Sequence, residues 1–186
     1  MRSYHHKLVR LVLSAVLLAM ALVLPFLTGQ IPQIGSMLCP MHLPVFLCGF
    51  FCGPVFGAVV GALAPILRSV LFGMPPMFPT AFAMCFELMA YGLVSGLMYR
   101  ALKGSRAGVY FSLIVSMLAG RAVWGAVNAV LYGLGKASFS FSAFIAGGFV
   151  NAVPGIILQI CLIPPLVILL TKAFPSLGAG KKQEKE

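Results

Sequence analysis

Three side chains that carry a full charge, Arg68, Glu87 and Arg121, fall inside stretches that are otherwise apolar. An ionised group near the centre of a bilayer costs on the order of 3 kcal/mol on insertion scales, so each of the three must face a partner or a wet cavity. His42, Trp124, Asn128 and Asn151 occur at comparable depth in their own stretches. Arg121, Trp124 and Asn128 are spaced i, i+3, i+7, which sets a guanidinium, an indole and an amide on one face of a helix. Such a face can hold a small polar molecule by ion pairing, hydrogen bonding and stacking. Glu87 can pair with Arg68 or with Arg121, but one carboxylate cannot neutralise two guanidinium groups. An anionic or zwitterionic ligand is a natural missing partner. His42 alone is compatible with either an interfacial hydrogen bond or a ligand contact.

The residue types that would support other chemistry are missing. The chain has neither G-x-x-x-x-G-K-[ST] for nucleotide phosphates, nor H-E-x-x-H, nor G-x-S-x-G. It contains no Asp, and a single carboxylate within the apolar stretches gives no acidic pair for two-metal or dyad catalysis. Autonomous pumping by ATP is excluded, and nothing points to an enzyme. Proton coupling through Glu87 stays open. Cys39, Cys48, Cys52, Cys85 and Cys161 form no C-x-x-C pair and have no His at zinc-ligand spacing, so they read as small core residues and no metal site is expected.

The elements that must position these side chains are dictated by composition. Of 186 residues, 61% are hydrophobic and 9% charged, and a mean hydropathy of +1.05 leaves lipid as the main solvent. A crossing helix needs roughly 20 apolar residues, so the length accommodates about six crossings in a single transmembrane domain, residues 1–186. Apolar runs broken by Gly, Pro and charge predict spans near 8–27, 39–51, 55–72, 80–101, 109–132 and 141–174, with a basic tail at 175–186. The fold class is all-α. Basic residues ahead of the first run give it the start of a secretory signal, and Ala19-Met-Ala21 resembles a weak cleavage site; the run exceeds the usual apolar region of about 7–15 residues and is read as a first transmembrane helix. The second run is short, with Pro40 and Pro44 at its start, and predicts a tilted or broken segment. The last contains Pro154, Pro164 and Pro165 and predicts a kink, or a re-entrant or interfacial stretch before the final crossing.

Lys and Arg near span ends are retained in the cytoplasm. With the N-terminus inside, ten fall on that side (Arg2, Lys7, Arg10, Arg100, Lys103, Arg106, Lys172, Lys181, Lys182 and Lys185) against Lys136 alone outside. Both termini are therefore expected in the cytoplasm. The thirteen Lys and Arg residues form no patch with interleaved aromatics, so nucleic acid is not expected as a partner. Small residues recur every four positions at Gly53, Gly57 and Gly61, at Gly92 and Gly96, and at Ala15 and Ala19, a spacing that lets helix backbones approach. The stiff apolar stretch Gly73-Met-Pro-Pro-Met-Phe-Pro79 can act as a wall or lid over the charged layer.

Size, topology, Ala15-Val-Leu-Leu-Ala19, and the block Pro40-Met-His-Leu-Pro44 through Gly49, Gly53-Pro54, Gly57, Gly61, Gly73-Met-Pro-Pro76, Phe86-Glu-Leu88 and Tyr91-Gly92 carry a resemblance spanning nearly the whole chain. The chain resembles the substrate-binding S component of an energy-coupling factor (ECF) type vitamin transporter. The resemblance implies capture of a water-soluble vitamin or related micronutrient on the extracellular side of a prokaryotic plasma membrane. It implies delivery with a shared ATP-driven module, a transmembrane coupling protein and two cytoplasmic ATPases, together an ABC-type importer. No cofactor is then bound by this chain, and ATP is used by the partner ATPases. Ala15 and Ala19 become the docking strip for the coupling protein. The pocket of that family lies near the outer side, where Arg121, Trp124, Asn128 and Asn151 fall. The competing expectation is a self-sufficient secondary transporter of a small anionic or zwitterionic solute; it would call for a coupling-ion site and paired broken helices in internal repeats, and no repeat between the halves is evident.

Overall fold

The computed structural model describes residues 2–28, 38–102, 104–134 and 140–173. The basic tail at 175–186, Lys103 and Lys136 lie outside the described residues. Helix α1 (Arg2–Val23) tightens into a 3-10 turn, Leu24–Thr28. Helices α2 (His42–Phe51) and α3 (Pro54–Phe72) follow, then a π-helical turn, Met77–Ala81, leading into α4 (Phe82–Ala101). Helix α5 (Arg106–Leu134) is the longest; a short α6 (Phe141–Ile145), a second π-helical turn (Ala146–Val150) and α7 (Val153–Ala173) complete the chain. No strand occurs among the described residues. Five segments are long and apolar enough to cross a membrane: Lys7–Leu27, Pro54–Phe72, Met77–Ala101, Arg106–Gly133 and Ala146–Ala173. This is the expected all-α membrane bundle. Its outward faces carry Leu8, Val12, Val55, Val59, Leu97, Leu118, Leu162 and Leu169, all exposed, as a chain solvated by hydrocarbon requires.

The second expected span, near 39–51, differs from the rest. Helix α2 has only 10 residues, so it rises about 15 Å, half of a hydrocarbon core of about 30 Å. All ten of its residues are buried, and it packs against α1, α3, α4 and α7. The run expected from residue 39 becomes helical only at His42, because Cys39 takes a left-handed backbone with φ 49°. Pro44 sits in the first turn, where a missing N–H costs nothing. The helix stops at Gly53, whose φ of 100° suits glycine and turns the chain directly into Pro54, the first residue of α3. The N–H groups of Cys52 and Gly53 both donate to the Cys48 carbonyl, at 2.9 and 3.2 Å.

The four-residue glycine spacing becomes a backbone contact between α3 and α4. A Cβ built on Gly57 would lie 2.7 Å from the Gly92 carbonyl oxygen, and one on Gly92 would collide with the Gly57 carbonyl. Chain direction makes the two helices antiparallel, while α2 runs alongside α4, its Phe50 ring meeting Tyr99 edge-on at 5.2 Å. Helix α1 belongs to the same core through Leu17 and Ala21. It is also tied to α2 by Cys48 Sγ, which lies 3.6 Å from Ser14 Oγ, the Ser14 hydroxyl donating to the Arg10 carbonyl at 2.7 Å.

The last run, expected over 141–174 to kink or to hold a re-entrant or interfacial stretch before the final crossing, is divided ahead of α7. The Asn151 N–H reaches back to the Ala146 carbonyl at 2.9 Å, a bond five residues long that closes the π-helical turn. Helix α7 restarts at Val153, with Pro154 in its first turn and Pro164 and Pro165 inside it. The stretch after α3 begins at Gly73, whose φ of 70° caps that helix through its N–H to the Ser69 carbonyl at 2.9 Å. The turn that follows packs against the ends of α3 and α4.

Candidate functional site: a buried charged layer at the head of a half-depth helix

Because α2 spans only half the bilayer depth, its first residue lies in the interior of the bundle, level with the second turn of α4. Glu87 is the sixth residue of α4, about 8 Å along its axis. Its carboxylate is 2% exposed and is approached by side chains from three helices. Tyr91, one turn further along α4, donates its hydroxyl to Glu87 Oε1 at 2.7 Å. Arg121 of α5 places Nη1 2.8 Å from the same oxygen. His42 of α2 places Nε2 3.7 Å away, beyond direct hydrogen bonding. The structure thus brings together Glu87, Arg121 and His42 of the predicted set.

The surroundings hold this geometry. The Tyr91 ring packs between Phe46, with centroids 4.9 Å apart, and His42, at 5.2 Å. On the α5 side the Tyr91 ring occupies the space a side chain at position 120 would need, so Gly120 is what admits it. Arg121 Nη2 lies 4.0 Å from Cys39 Sγ, at the entrance to α2. A buried ion pair gains at most a little net stability over apolar packing, whereas leaving one of its members alone costs about 3–5 kcal/mol. The pair therefore fixes the register of α4 against α5 more than it strengthens the fold. One cost is left standing: neither ring nitrogen of His42 has a hydrogen-bond partner, although the residue is 3% exposed.

The other predicted residues are placed differently. Trp124 lies one turn beyond Arg121 and stacks on Phe144 of α6, centroids 6.3 Å apart and rings inclined by 27°. Asn128 is buried and donates its amide to the Trp124 carbonyl at 2.8 Å, which spends one donor on its own helix. Asn151 is exposed at the junction between the π-helical turn and α7. Arg68 is buried apart from the carboxylate. Its guanidinium donates to the Leu22 carbonyl and lies 4.9 Å from the Phe26 ring and 5.4 Å from the Phe72 ring. Of the two guanidinium groups expected as alternative partners of Glu87, Arg121 takes the carboxylate, and the Arg68 charge is met by a carbonyl dipole and two aromatic faces. Ala15 and Ala19 are exposed along α1.

Sequence reasoning passed over Tyr91, Cys39, Gly120 and Phe144 as site residues. The i, i+4 spacing of Glu87 and Tyr91 was a usable signal, since it puts both on one helical face. The other three depend on how separate segments meet. Among the described residues no group of three or more His, Cys, Asp or Glu side chains converges as metal ligands would.

Comparison with curated proteins and with solved structures finds no match. A family model described as ECF transporter, substrate-specific component, matches residues 9–167. That stretch runs from the first turns of α1 into the last turns of α7 and includes the whole charged layer. Members of the family are transport-related binding proteins that associate with an ECF module of coupling protein and ATPases. With five crossing-length apolar helices packed around a charged centre, this multi-pass membrane protein belongs to the family of substrate-specific components of ECF transporters.

Proposed function

We propose that the chain captures a water-soluble vitamin or related micronutrient at the outer face of a prokaryotic plasma membrane and hands it to a coupling protein energised by two ATPases. The chain itself binds no cofactor, and ATP is used by the partners. The observation that carries the reading is the layer formed by Glu87, Arg121, Tyr91 and His42 at the head of α2, continued along α5 by Trp124 and Asn128. A polar centre at mid-depth, on a half-depth helix and beside a stacked aromatic pair, is suited to holding a small polar solute. Asn151, exposed at the break before α7, lines the approach, and Arg68 braces the neighbouring rim. The excess of Lys and Arg at the span ends expected inside supports cytoplasmic termini, with the layer opening outward. Ala15 and Ala19 leave a flat exposed strip on α1 that suits a partner helix.

Protein purified from cells grown in rich medium is expected to carry its ligand, identifiable by mass spectrometry. Arg121→Ala should lower occupancy about tenfold or more, the loss of one hydrogen bond to a charged group. Vesicles containing this polypeptide alone should bind that molecule without accumulating it. Accumulation by the chain alone would replace this reading with a self-sufficient secondary transporter.

A further inference from the structure

The charge in the layer is already balanced. Arg121 contributes one positive charge and Glu87 one negative charge, and the two are in contact at 2.8 Å. Arg68, which would have tipped the balance, is engaged with Leu22, Phe26 and Phe72. A ligand bringing net charge into this layer would leave that charge without a counter-ion in a medium of low dielectric constant, where it is most costly. What the layer does leave unmatched is hydrogen-bonding capacity. Both ring nitrogens of His42 lack hydrogen-bond partners, and Asn128 commits one amide donor to the Trp124 carbonyl. Arg121 sets Nη1 against Glu87 and Nη2 4.0 Å from the Cys39 thiol. An imidazole carries two ring nitrogens that seek hydrogen-bond partners, so what the layer leaves unmatched is hydrogen-bonding capacity rather than the charge of its ion pair. Beside it stand the stacked rings of Trp124 and Phe144.

From this geometry we infer that the ligand is a planar, hydrogen-bonding molecule with no net charge, either neutral or internally balanced as a zwitterion, and that simple carboxylates and phosphates are selected against. The inference rests on the reading of this layer as the ligand site.

Cys39, 4.0 Å from Arg121, offers a probe that needs no knowledge of the ligand. In a Cys85→Ser, Cys161→Ser background, purified protein is treated with three methanethiosulfonates: a neutral methyl, an anionic sulfonatoethyl and a cationic trimethylammonioethyl reagent. Modification of Cys39 is followed by peptide mass spectrometry, and each rate is divided by that for a free thiol. The neutral reagent is expected to react at least tenfold faster than either charged one. Glu87→Gln should shift the preference to the anion and Arg121→Gln to the cation, while the comparison among reagents in the parent background requires neither variant to fold. A preference for the anionic reagent in the parent background overturns the inference and leaves the proposed function in place. Failure of all three reagents to reach Cys39 overturns the outward-opening site itself.

Discussion

Oε1 of Glu87 gathers a phenol at 2.7 Å and a guanidinium at 2.8 Å, with an imidazole held back at 3.7 Å. Each donor comes with a backbone that constrains it: Tyr91 from the same helix, Arg121 from α5, His42 from the first residue of α2. Glu87→Ala should destabilise the protein by about 3–5 kcal/mol, because Arg121 would remain as a buried cation without a counter-ion. Pairing Glu87→Ala with Arg121→Met should recover most of that loss. Thermal unfolding in detergent, followed by circular dichroism, separates the two; a double variant no more stable than the single one would show that the pair is not what holds the site. At this scale the sequence was informative about which groups are costly to bury and silent about which of them meet. Arg68 and Arg121 look equivalent as isolated cations in apolar runs. Only the fold shows that Phe26 and Phe72 close around one and Glu87 receives the other.

Between α3 and α4 the contact is backbone against backbone, so small size matters more than shape. Gly92→Ala should drive a methyl into the Gly57 carbonyl, which has no flexible atom to give way. A loss of about 1–3 kcal/mol is expected, as for overpacking. Gly133→Ala in α5 meets nothing within 4 Å and should be neutral or stabilising by up to about 1 kcal/mol, since alanine is the better helix former. Melting temperatures of the two variants check the contrast; equal effects would mean that the close approach carries no strain. The long elements were legible because a crossing helix needs an uninterrupted apolar run, and residues 55–72 and 80–101 provide one each. The glycine spacing announced close packing without naming the partner. The true start of α2 and the break at residues 151–152 were less legible, since a left-handed Cys39 and a five-residue backbone bond at Asn151 depend on tertiary context rather than on hydrophobicity.

Taken whole, the molecule separates an enclosed centre from a plain exterior. The centre is α2, enclosed by α1, α3, α4 and α7. The exterior is apolar, and along α1 it offers Ala15 and Ala19 as small exposed residues. If the proposed docking role holds, Ala15→Trp or Ala19→Trp should abolish co-purification with the coupling module and uptake of the ligand, while ligand occupancy of the isolated protein stays within about twofold of the parent. Lowered occupancy with normal uptake would assign the strip to the wrong task. The enclosure of α2 also bears on biogenesis. At 10 residues it is too short to anchor itself across a bilayer, and none of its surface is left for lipid. A ribosome-bound chain emerging only as far as Phe51 has nowhere stable to lodge this segment. Its seating is completed only after α3, α4 and α7 have been threaded in behind it, and the ion pair at its head closes only once α5 has brought Arg121 to Glu87.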